Sequence, residues 1–276
     1  MNFKLKNCST KKEFKKIKPN KLLGQNFLVD KNVLAKIIAA ADLFKNDTVL
    51  EVGPGKGILT RELAARANRV VAVEKDRRLA ALLQEDFKNA ENIEIVQADI
   101  LKFLKSRPIE NYKVVANIPY YLTSHLIRLL LESPHPPREM VLLVQQEVAQ
   151  RICAQPPRMS LLAIAVQFYA QAKIIAKVPR GAFRPQPKVD SAVIKITPLK
   201  KTGNEDFARR FFRIAKAGFS QPRKQLQNNL RNGLKIDQEK ISAALKSLKI
   251  KPAQRAESLA LKEWLKLADI LFEKNG

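Results

Sequence analysis

Strand-like apolar runs alternate with helix-like patterns through the first half of the chain, and no other feature restricts the fold as strongly. The runs lie at residues 48–52, 69–73, 92–96, 112–116 and 140–144. Helical spacing fills the intervals, as in 58–67 and 77–87. Strands that alternate with helices form parallel sheets, and nearly continuous apolar runs indicate strands covered on both faces. The sequence therefore predicts a doubly wound α/β sandwich, with a helix over 30–41 ahead of its first strand.

The second half of the chain predicts an extension of the sheet and then a change of class. Two β-prone segments, 173–178 and 189–197, bracket a Pro-rich loop over 179–187 and predict an antiparallel end to the sheet. Beyond a short polar stretch at 198–206 every segment has helical spacing. We therefore expect a domain boundary near Lys201, with an α/β domain over 22–200 and a helical domain over 201–276.

The charge balance predicts a polyanionic partner. The chain has 51 Lys and Arg against 26 Asp and Glu, a formal net charge of +25. Residues 1–21 hold eight lysines and one acid, Glu13, and are expected to form a basic flexible arm that orders on meeting an anion. RNA, DNA and acidic membrane surfaces all fit such an excess. A merely basic protein without such a partner is the alternative, disfavoured because unneutralised charge opposes compaction.

The sequence offers no signal for a membrane span, a secretion signal or a metal site. No run approaches the ~20 apolar residues that span a bilayer, so a cytoplasmic protein is expected. Cys8 and Cys153 lie far apart without a CxxC partner or a histidine cluster. Neither a disulfide nor a metal centre is predicted.

A glycine-rich turn follows the first predicted strand. Glu51-Val52-Gly53-Pro54-Gly55-Lys56-Gly57 lets the main chain turn sharply and approach a ligand at the start of the next helix. Glu74, 21 residues after Gly53, stands where a carboxylate can accept hydrogen bonds from a ribose. Asp99 follows the third strand and could accept from an adenine amine. Glycine turns also serve packing alone, but the two signals together favour a nucleoside ligand.

The fourth strand ends in Asn117-Ile118-Pro119-Tyr120, at the edge where open α/β sheets bind ligands. Methylation of an exocyclic amine needs acceptors for the amine hydrogens, because the nitrogen lone pair is delocalised into the ring. The Asn117 side-chain oxygen and a carbonyl near Pro119 could supply them, and Tyr120 could stack on the base.

These motifs together resemble the ribosomal RNA adenine N6,N6-dimethyltransferase family. The resemblance runs through these blocks: 23–28, 53–60, Glu74, 98–99, 117–120, 147–149 and 183–193. It implies a Rossmann-like class I methyltransferase with a mostly parallel seven-stranded sheet and a small C-terminal helical domain that binds RNA. It further implies the cofactor S-adenosyl-L-methionine, held by Asn26, Leu28, Gly53, Glu74, Asp99 and Asn117. The catalytic set it implies is Asn117, Pro119, Tyr120 and Phe183, with Phe183 as a second aromatic near the target base.

Two C-terminal blocks, 219–226 and 255–257, resemble the small-subunit, kasugamycin-sensitivity branch of that family. The resemblance implies dimethylation of two adjacent adenines in the 3'-terminal hairpin of small-subunit rRNA, coupled to assembly of that subunit. The implied partners are this rRNA and the immature small subunit, bound by a monomer that uses Arg223 and Lys224. Pro222, Gln146 and Ile118 depart from the usual pattern of the branch.

Three other functions share part of this pattern. A dinucleotide oxidoreductase would share the glycine turn and Glu74, but it has no use for the motif at 117–120. A large-subunit rRNA adenine methylase that confers antibiotic resistance would share every catalytic block. A non-catalytic RNA-binding assembly or transcription factor should have lost its cofactor motifs, which are intact here. His125 and His135 lie outside all of these motifs, so no histidine base is predicted.

Overall fold

The structure is a computed structural model that describes residues 13–14, 17–20, 23–199 and 205–272. Most of the predicted basic arm and the predicted boundary at Lys201 lie outside these residues. The chain divides into two compact units. The first unit comprises residues 1–149 and 172–198, and the second comprises 150–171 and 199–276.

A seven-stranded sheet forms the centre of the first unit. Its strands are β2 (Thr48–Val52), β3 (Arg69–Glu74), β4 (Ile93–Gln97), β5 (Tyr112–Asn117), β6 (Glu139–Gln145), β7 (Ala170–Val178) and β9 (Ser191–Pro198). They lie in the order β4-β3-β2-β5-β6-β9-β7. The pairs from β4 through β6 are parallel, and β9 runs antiparallel to β6. The predicted fold class is confirmed, including the antiparallel end of the sheet.

A two-stranded ribbon lies beside this sheet. β1 (Phe27–Leu28) pairs antiparallel with β8 (Phe183–Arg184), so that Phe27 faces Arg184 and Leu28 faces Phe183. The main-chain N–H of Val29 donates to the carbonyl of Ala182 at 2.9 Å and continues the ribbon. Two segments more than 150 residues apart along the chain are thereby joined. The sequence pattern did not predict this ribbon.

Among residues 23–152, six α-helices follow or precede the strands, and the last of them extends past the end of the first unit at residue 149: α1 (Lys31–Ala41), α2 (Ile58–Ala64), α3 (Arg77–Asp86), α4 (Ile100–Ser106), α5 (Thr123–Glu132) and α6 (Gln146–Ile152). Aspartate side chains cap three of them. Asp30, Asp76 and Asp99 accept hydrogen bonds from main-chain N–H groups in the first turns of α1, α3 and α4. Such caps satisfy donors that a helix start leaves without a partner, and they fix where each helix begins.

The central strands are buried on both faces, as their apolar runs predict. Leu50, Val114 and Leu142 have no exposed surface. Phe14 is buried as well, in an apolar cluster with Phe27 and side chains of α3. One side chain of the predicted arm is therefore packed in an apolar cluster, and the flexible arm over 1–21 as a whole stays a prediction.

The second unit is helical. Its helices are α7 (Leu161–Gln167), α8 (Glu205–Gly218), α9 (Leu226–Leu234), α10 (Gln238–Ser247) and α11 (Leu261–Phe272). Trp264, Phe211 and Leu230 are fully buried in its core. Residues 150–171, which the sequence prediction assigned to the α/β domain, cluster with these helices instead. The reason is that Met159, Ala163 and Ile164 share their core. Within the described part of the chain, no helix has the length and apolar character needed to cross a membrane.

Candidate active site

A cavity of about 310 Å³ opens at the carboxyl ends of the parallel strands. Parallel strands bring the residues that follow them to one edge of a sheet, where open α/β folds bind ligands. The segments after β2, β3, β4 and β5 all line this cavity, together with residues 23–28. Of the predicted site residues, the lining includes Asn26, Leu28, Gly53, Glu74, Asp99, Asn117, Pro119 and Tyr120.

The glycine turn forms the floor of the cavity between β2 and α2. Gly53 and Gly55 have positive φ angles of 67° and 60°, a conformation that side chains disfavour. A Cβ atom on Gly55 would lie 3.0 Å from the ring of Phe27. The turn therefore needs glycine both for its backbone conformation and for the close approach of β1.

Glu74 ends β3 with a carboxylate that is held in place and 5% exposed. Its Oε2 accepts a hydrogen bond from the N–H of Gly55 at 3.1 Å, and its Oε1 accepts from the N–H of Asp76 at 2.9 Å. Burial raises the pKa of this carboxyl, although the two main-chain donors oppose the shift. Each carboxylate oxygen keeps a further lone pair, so Glu74 can still accept from ribose hydroxyls.

Glu51 is a cavity residue to which the sequence analysis gave no role. It lies in β2, is 1% exposed, and its Oε2 has no hydrogen-bond partner. Burial, with a smaller contribution from the neighbouring Glu74 carboxylate, raises the pKa of Glu51 to about 8. The sequence did carry a signal for this residue, because Glu51 is the one acid in the predicted strand 48–52. Burying a carboxyl costs free energy, so a buried acid often marks a functional site.

Asp99 follows β4 and has two partners already. Its Oδ1 accepts from the N–H of Leu101 at 2.9 Å, and its Oδ2 lies 2.8 Å from the Nζ of Lys75. The Lys75 ammonium holds the pKa of Asp99 below its usual range. Asp99 is therefore an ionised acceptor at the cavity wall, in keeping with the predicted type of contact to an adenine amine.

The motif after β5 is fixed from both sides. The Asn117 Nδ2 donates to the carbonyl of Asn26 at 3.0 Å, which leaves its Oδ1 as an acceptor. The Tyr120 hydroxyl lies 2.8 Å from the Oγ of Ser191, the first residue of β9. The carbonyl of Pro119 accepts from the N–H of Leu122 at 3.0 Å and has one lone pair left for a second donor.

Phe183 is not brought to the cavity with the other predicted residues. Its side chain has no exposed surface and packs in a core cluster that includes Leu28, Ile37 and Val193. The pairing of Phe183 with Leu28 places it next to a lining residue instead. Its predicted stacking on a target base stays a prediction.

The cavity lining also includes side chains that were not among the site residues predicted from the sequence. Tyr121, which is 60% exposed, lines the cavity, and so does His125.

Arg223 and Lys224 are exposed in the turn between α8 and α9 of the second unit. Among the described residues, no group of three or more His, Cys, Asp or Glu side chains is arranged to hold a metal ion.

Comparisons with known proteins identify the family to which this chain is similar. Residues 16–273 match the family "Ribosomal RNA adenine dimethylase". The "Ribosomal RNA small subunit methyltransferase A" of Dehalococcoides mccartyi is 46% identical over 255 residues, which cover 91% of this chain and 88% of that protein. The protein of the same name from Streptococcus thermophilus is 42% identical over 269 residues, covering 92% of each chain.

Two solved structures share most of the chain. A dimethyladenosine transferase from Plasmodium falciparum superimposes with a TM-score of 0.76 at 27% identity, covering 87% of this chain and 95% of that one. The 23S rRNA methyltransferase ErmE superimposes with a TM-score of 0.74 at 32% identity, covering 89% of this chain and 99% of that one. With a family match over nearly its whole length, this chain belongs to the ribosomal RNA adenine dimethylase family.

Proposed function

We propose that this protein transfers methyl groups from S-adenosyl-L-methionine to N6 of two adjacent adenines in the 3'-terminal hairpin of small-subunit rRNA, two groups on each. The observation that carries the proposal is the cavity. It is lined by Glu74, which can accept hydrogen bonds from ribose hydroxyls, by the glycine turn and by the motif that begins at Asn117. The relatives named for the small subunit, at 41–46% identity, support this choice of RNA.

The residues at the cavity fit this cofactor. Gly53 and Gly55 adopt the positive φ angles that shape the cavity wall, and Glu74 offers fixed acceptors for two hydroxyls. Asp99 can accept from an amine, and Asn26 and Leu28 also line the cavity. When bound, the cofactor supplies an electrophilic methyl group on a sulfonium.

The chain's part in the reaction is to hold the target amine. Asn117 has its Oδ1 left to accept an amine hydrogen, because its Nδ2 is committed to Asn26. Tyr120 presents a ring whose hydroxyl is anchored on Ser191, so the ring can stack on a base turned out of its helix. Methylation leaves an acidic cationic nitrogen that loses its proton without a dedicated base. Positioning and electrostatics thus carry the rate.

The proposal has the protein act as a monomer in the cytoplasm, on the immature small subunit. The overall excess of 25 positive charges supports binding of an RNA backbone. Arg223 and Lys224, exposed on the second unit, are proposed as phosphate contacts.

The test is to offer isolated small and large ribosomal subunits, taken from cells without the enzyme, as methyl acceptors. The donor carries a labelled methyl group, and mass mapping of the product locates each modified adenine. We expect two methyl groups on each of two neighbouring adenines of the small subunit. Methylation confined to the large subunit would favour the activity named for ErmE, whose structure also matches. Methylation of neither would leave an RNA-binding role without catalysis.

A further inference from the structure

An exposed basic segment follows the sheet edge and turns toward the cavity. We call residues 172–190 the basic edge segment. Its five cations are all exposed: Lys173, Lys177, Arg180, Arg184 and Lys188. Asp190 is its one acid. Within the described ranges none of these five side chains forms an ion pair, so their charge is not neutralised by the protein.

One part of this segment is an edge strand. β7 ends the seven-stranded sheet, so no strand of the described residues pairs with its outer side. Alternate residues of a strand point to the same face, and Lys173, Ile175 and Lys177 are exposed together. The result is a row of positive charge with an apolar residue between its members. Lysine on an edge strand also has a simpler role, since it discourages pairing with another sheet.

The other part is linked to two residues that line the cavity, Phe27 and Tyr120. Arg184 faces Phe27 in the two-stranded ribbon, and Phe27 lines the cavity. Asp190 accepts two hydrogen bonds. Its main-chain carbonyl accepts from the N–H of Gln146 at 3.0 Å, and its Oδ1 accepts from the main-chain N–H of Arg180 at 2.9 Å. The next residue, Ser191, bonds to the hydroxyl of Tyr120. The main chain at both arginines is therefore linked to residues of the cavity wall.

We infer that the basic edge segment is a phosphate-binding track that grips the RNA backbone beside the target adenine. This inference rests on the proposed function, because it assumes that the base entering the cavity belongs to RNA. The unstacking energy of a base that leaves its stack is offset by contacts to the base itself, and phosphate contacts beside it position the strand. Arginine suits this purpose, since its planar group binds phosphate oxygens in pairs. Protection of the edge strand β7 explains Lys173 and Lys177 but not Arg180 and Arg184, which lie outside β7.

The test compares variants that each lose two charges. One is Arg180→Gln with Arg184→Gln, the second is Lys173→Gln with Lys177→Gln, and the matched control is Lys102→Gln with Lys105→Gln. The control lysines are exposed on α4 and form no ion pair among the described residues. Binding of a single-stranded RNA oligonucleotide and of unmethylated small subunits is measured over a range of salt concentrations.

Each phosphate that is no longer bound should lower the slope of log affinity against log salt by roughly 0.7–0.9. The control should keep the slope of the parent protein. We expect both track variants to show a smaller slope, with the arginine variant also showing a higher KM for the small subunit. If the slopes of both track variants equal that of the control, the inference is wrong. If the lysine variant keeps the parent slope and the arginine variant does not, the phosphate-binding track consists of the two arginines alone. Lys173 and Lys177 then serve only to keep β7 from pairing with another sheet.

Two measurements separate misfolding and failure of the proposed function from failure of this inference. Arg184 donates to the carbonyls of Gly181 and Phe183, so its loss could loosen the turn. Arg180 has no side-chain hydrogen bond among the described residues, and Arg180→Gln alone tests the track without that risk. Cofactor affinity measured by calorimetry should be unchanged in every variant. A parent protein that methylates neither subunit yet binds RNA with the larger slope would contradict the proposed function and leave the track standing.

Discussion

Glu74 illustrates how a single buried carboxylate can serve both the loop and the ligand. It accepts main-chain hydrogen bonds from Gly55 and Asp76 while keeping lone pairs for a ribose. We predict that Glu74→Gln weakens cofactor binding by about 10- to 150-fold, the equivalent of one charge-assisted hydrogen bond at about 1.5–3 kcal/mol. Glu74→Ala should have a larger effect, because the glycine turn also loses its anchors. Calorimetry measures the cofactor Kd, and RNA affinity should change little. An unaltered Kd in a folded variant would remove Glu74 from the site.

Glu51 makes the stability of the protein depend on pH. Its folded pKa of about 8 lies above the ordinary value of 4.5, mainly because of burial. Between these values the folded state holds a proton that the unfolded state has lost, so the free energy of unfolding falls as the pH rises. Glu51→Gln removes this contribution. As the pH rises from about 5 to about 8.5, the free energy of unfolding of the parent should fall by roughly 2–4 kcal/mol relative to that of the variant. The upper limit is about 1.36 kcal/mol for each unit by which the pKa is shifted. Urea unfolding at both pH values checks it, and parallel pH profiles would contradict it.

The site residues that sequence could identify are those that follow a strand. Gly53, Glu74, Asp99 and Asn117 each stand at the end of an apolar run, and parallel pairing brings all four ends to one edge. Phe183 differs, because its position depends on the pairing of β8 with β1. Nothing local in the sequence encodes that ribbon. Phe183→Leu would therefore alter the volume of the core as well as any π-face, and it is a poor probe of stacking.

At the scale of elements, the predicted strands are all present because burial on both faces leaves a continuous apolar signal. Their ends follow the sequence less closely: β7 begins at Ala170, three residues before its predicted start, and α2 ends at Ala64, before its predicted end at 67. The assignment of residues 150–171 shows a further limit. The helix at 161–167 is encoded locally, but the unit to which it belongs is decided by the partners of its apolar face.

The hydrogen bond between Tyr120 and Ser191 joins the motif after β5 to the start of β9. Tyr120→Phe removes this link, which should lower the free energy of unfolding by about 0.5–1.5 kcal/mol. The ring remains, so we predict a single-turnover methylation rate close to that of the parent. Tyr120→Leu also removes the aromatic face, worth about 1–3 kcal/mol per stacked base, and its rate should fall by about 5- to 150-fold. Equal rates for the Phe and Leu variants would refute stacking by Tyr120.

At the scale of the whole molecule, the excess of 25 positive charges is larger than solubility requires. Composition alone predicts a polyanion, but it does not say where the anion binds. The structure adds that information within each unit. In the first unit exposed cations follow β7 toward the cavity, and in the second Arg223 and Lys224 stand in an exposed turn. The two sets can be tested independently, since each lies within one unit.

The final prediction concerns the turn between α8 and α9. Arg223→Gln with Lys224→Gln should weaken binding of the small subunit and lower the salt slope by roughly 0.7–0.9 for each phosphate that the variant no longer binds. Both side chains are exposed without an ion pair in the described part of the chain, so stability should be unchanged. Cofactor affinity should also be unchanged, because the cavity residues belong to the first unit. The matched control is Lys246→Gln with Lys249→Gln, which removes two exposed cations from the same unit. If both pairs alter the slope equally, the effect reflects total charge, and the turn has no special role in binding RNA.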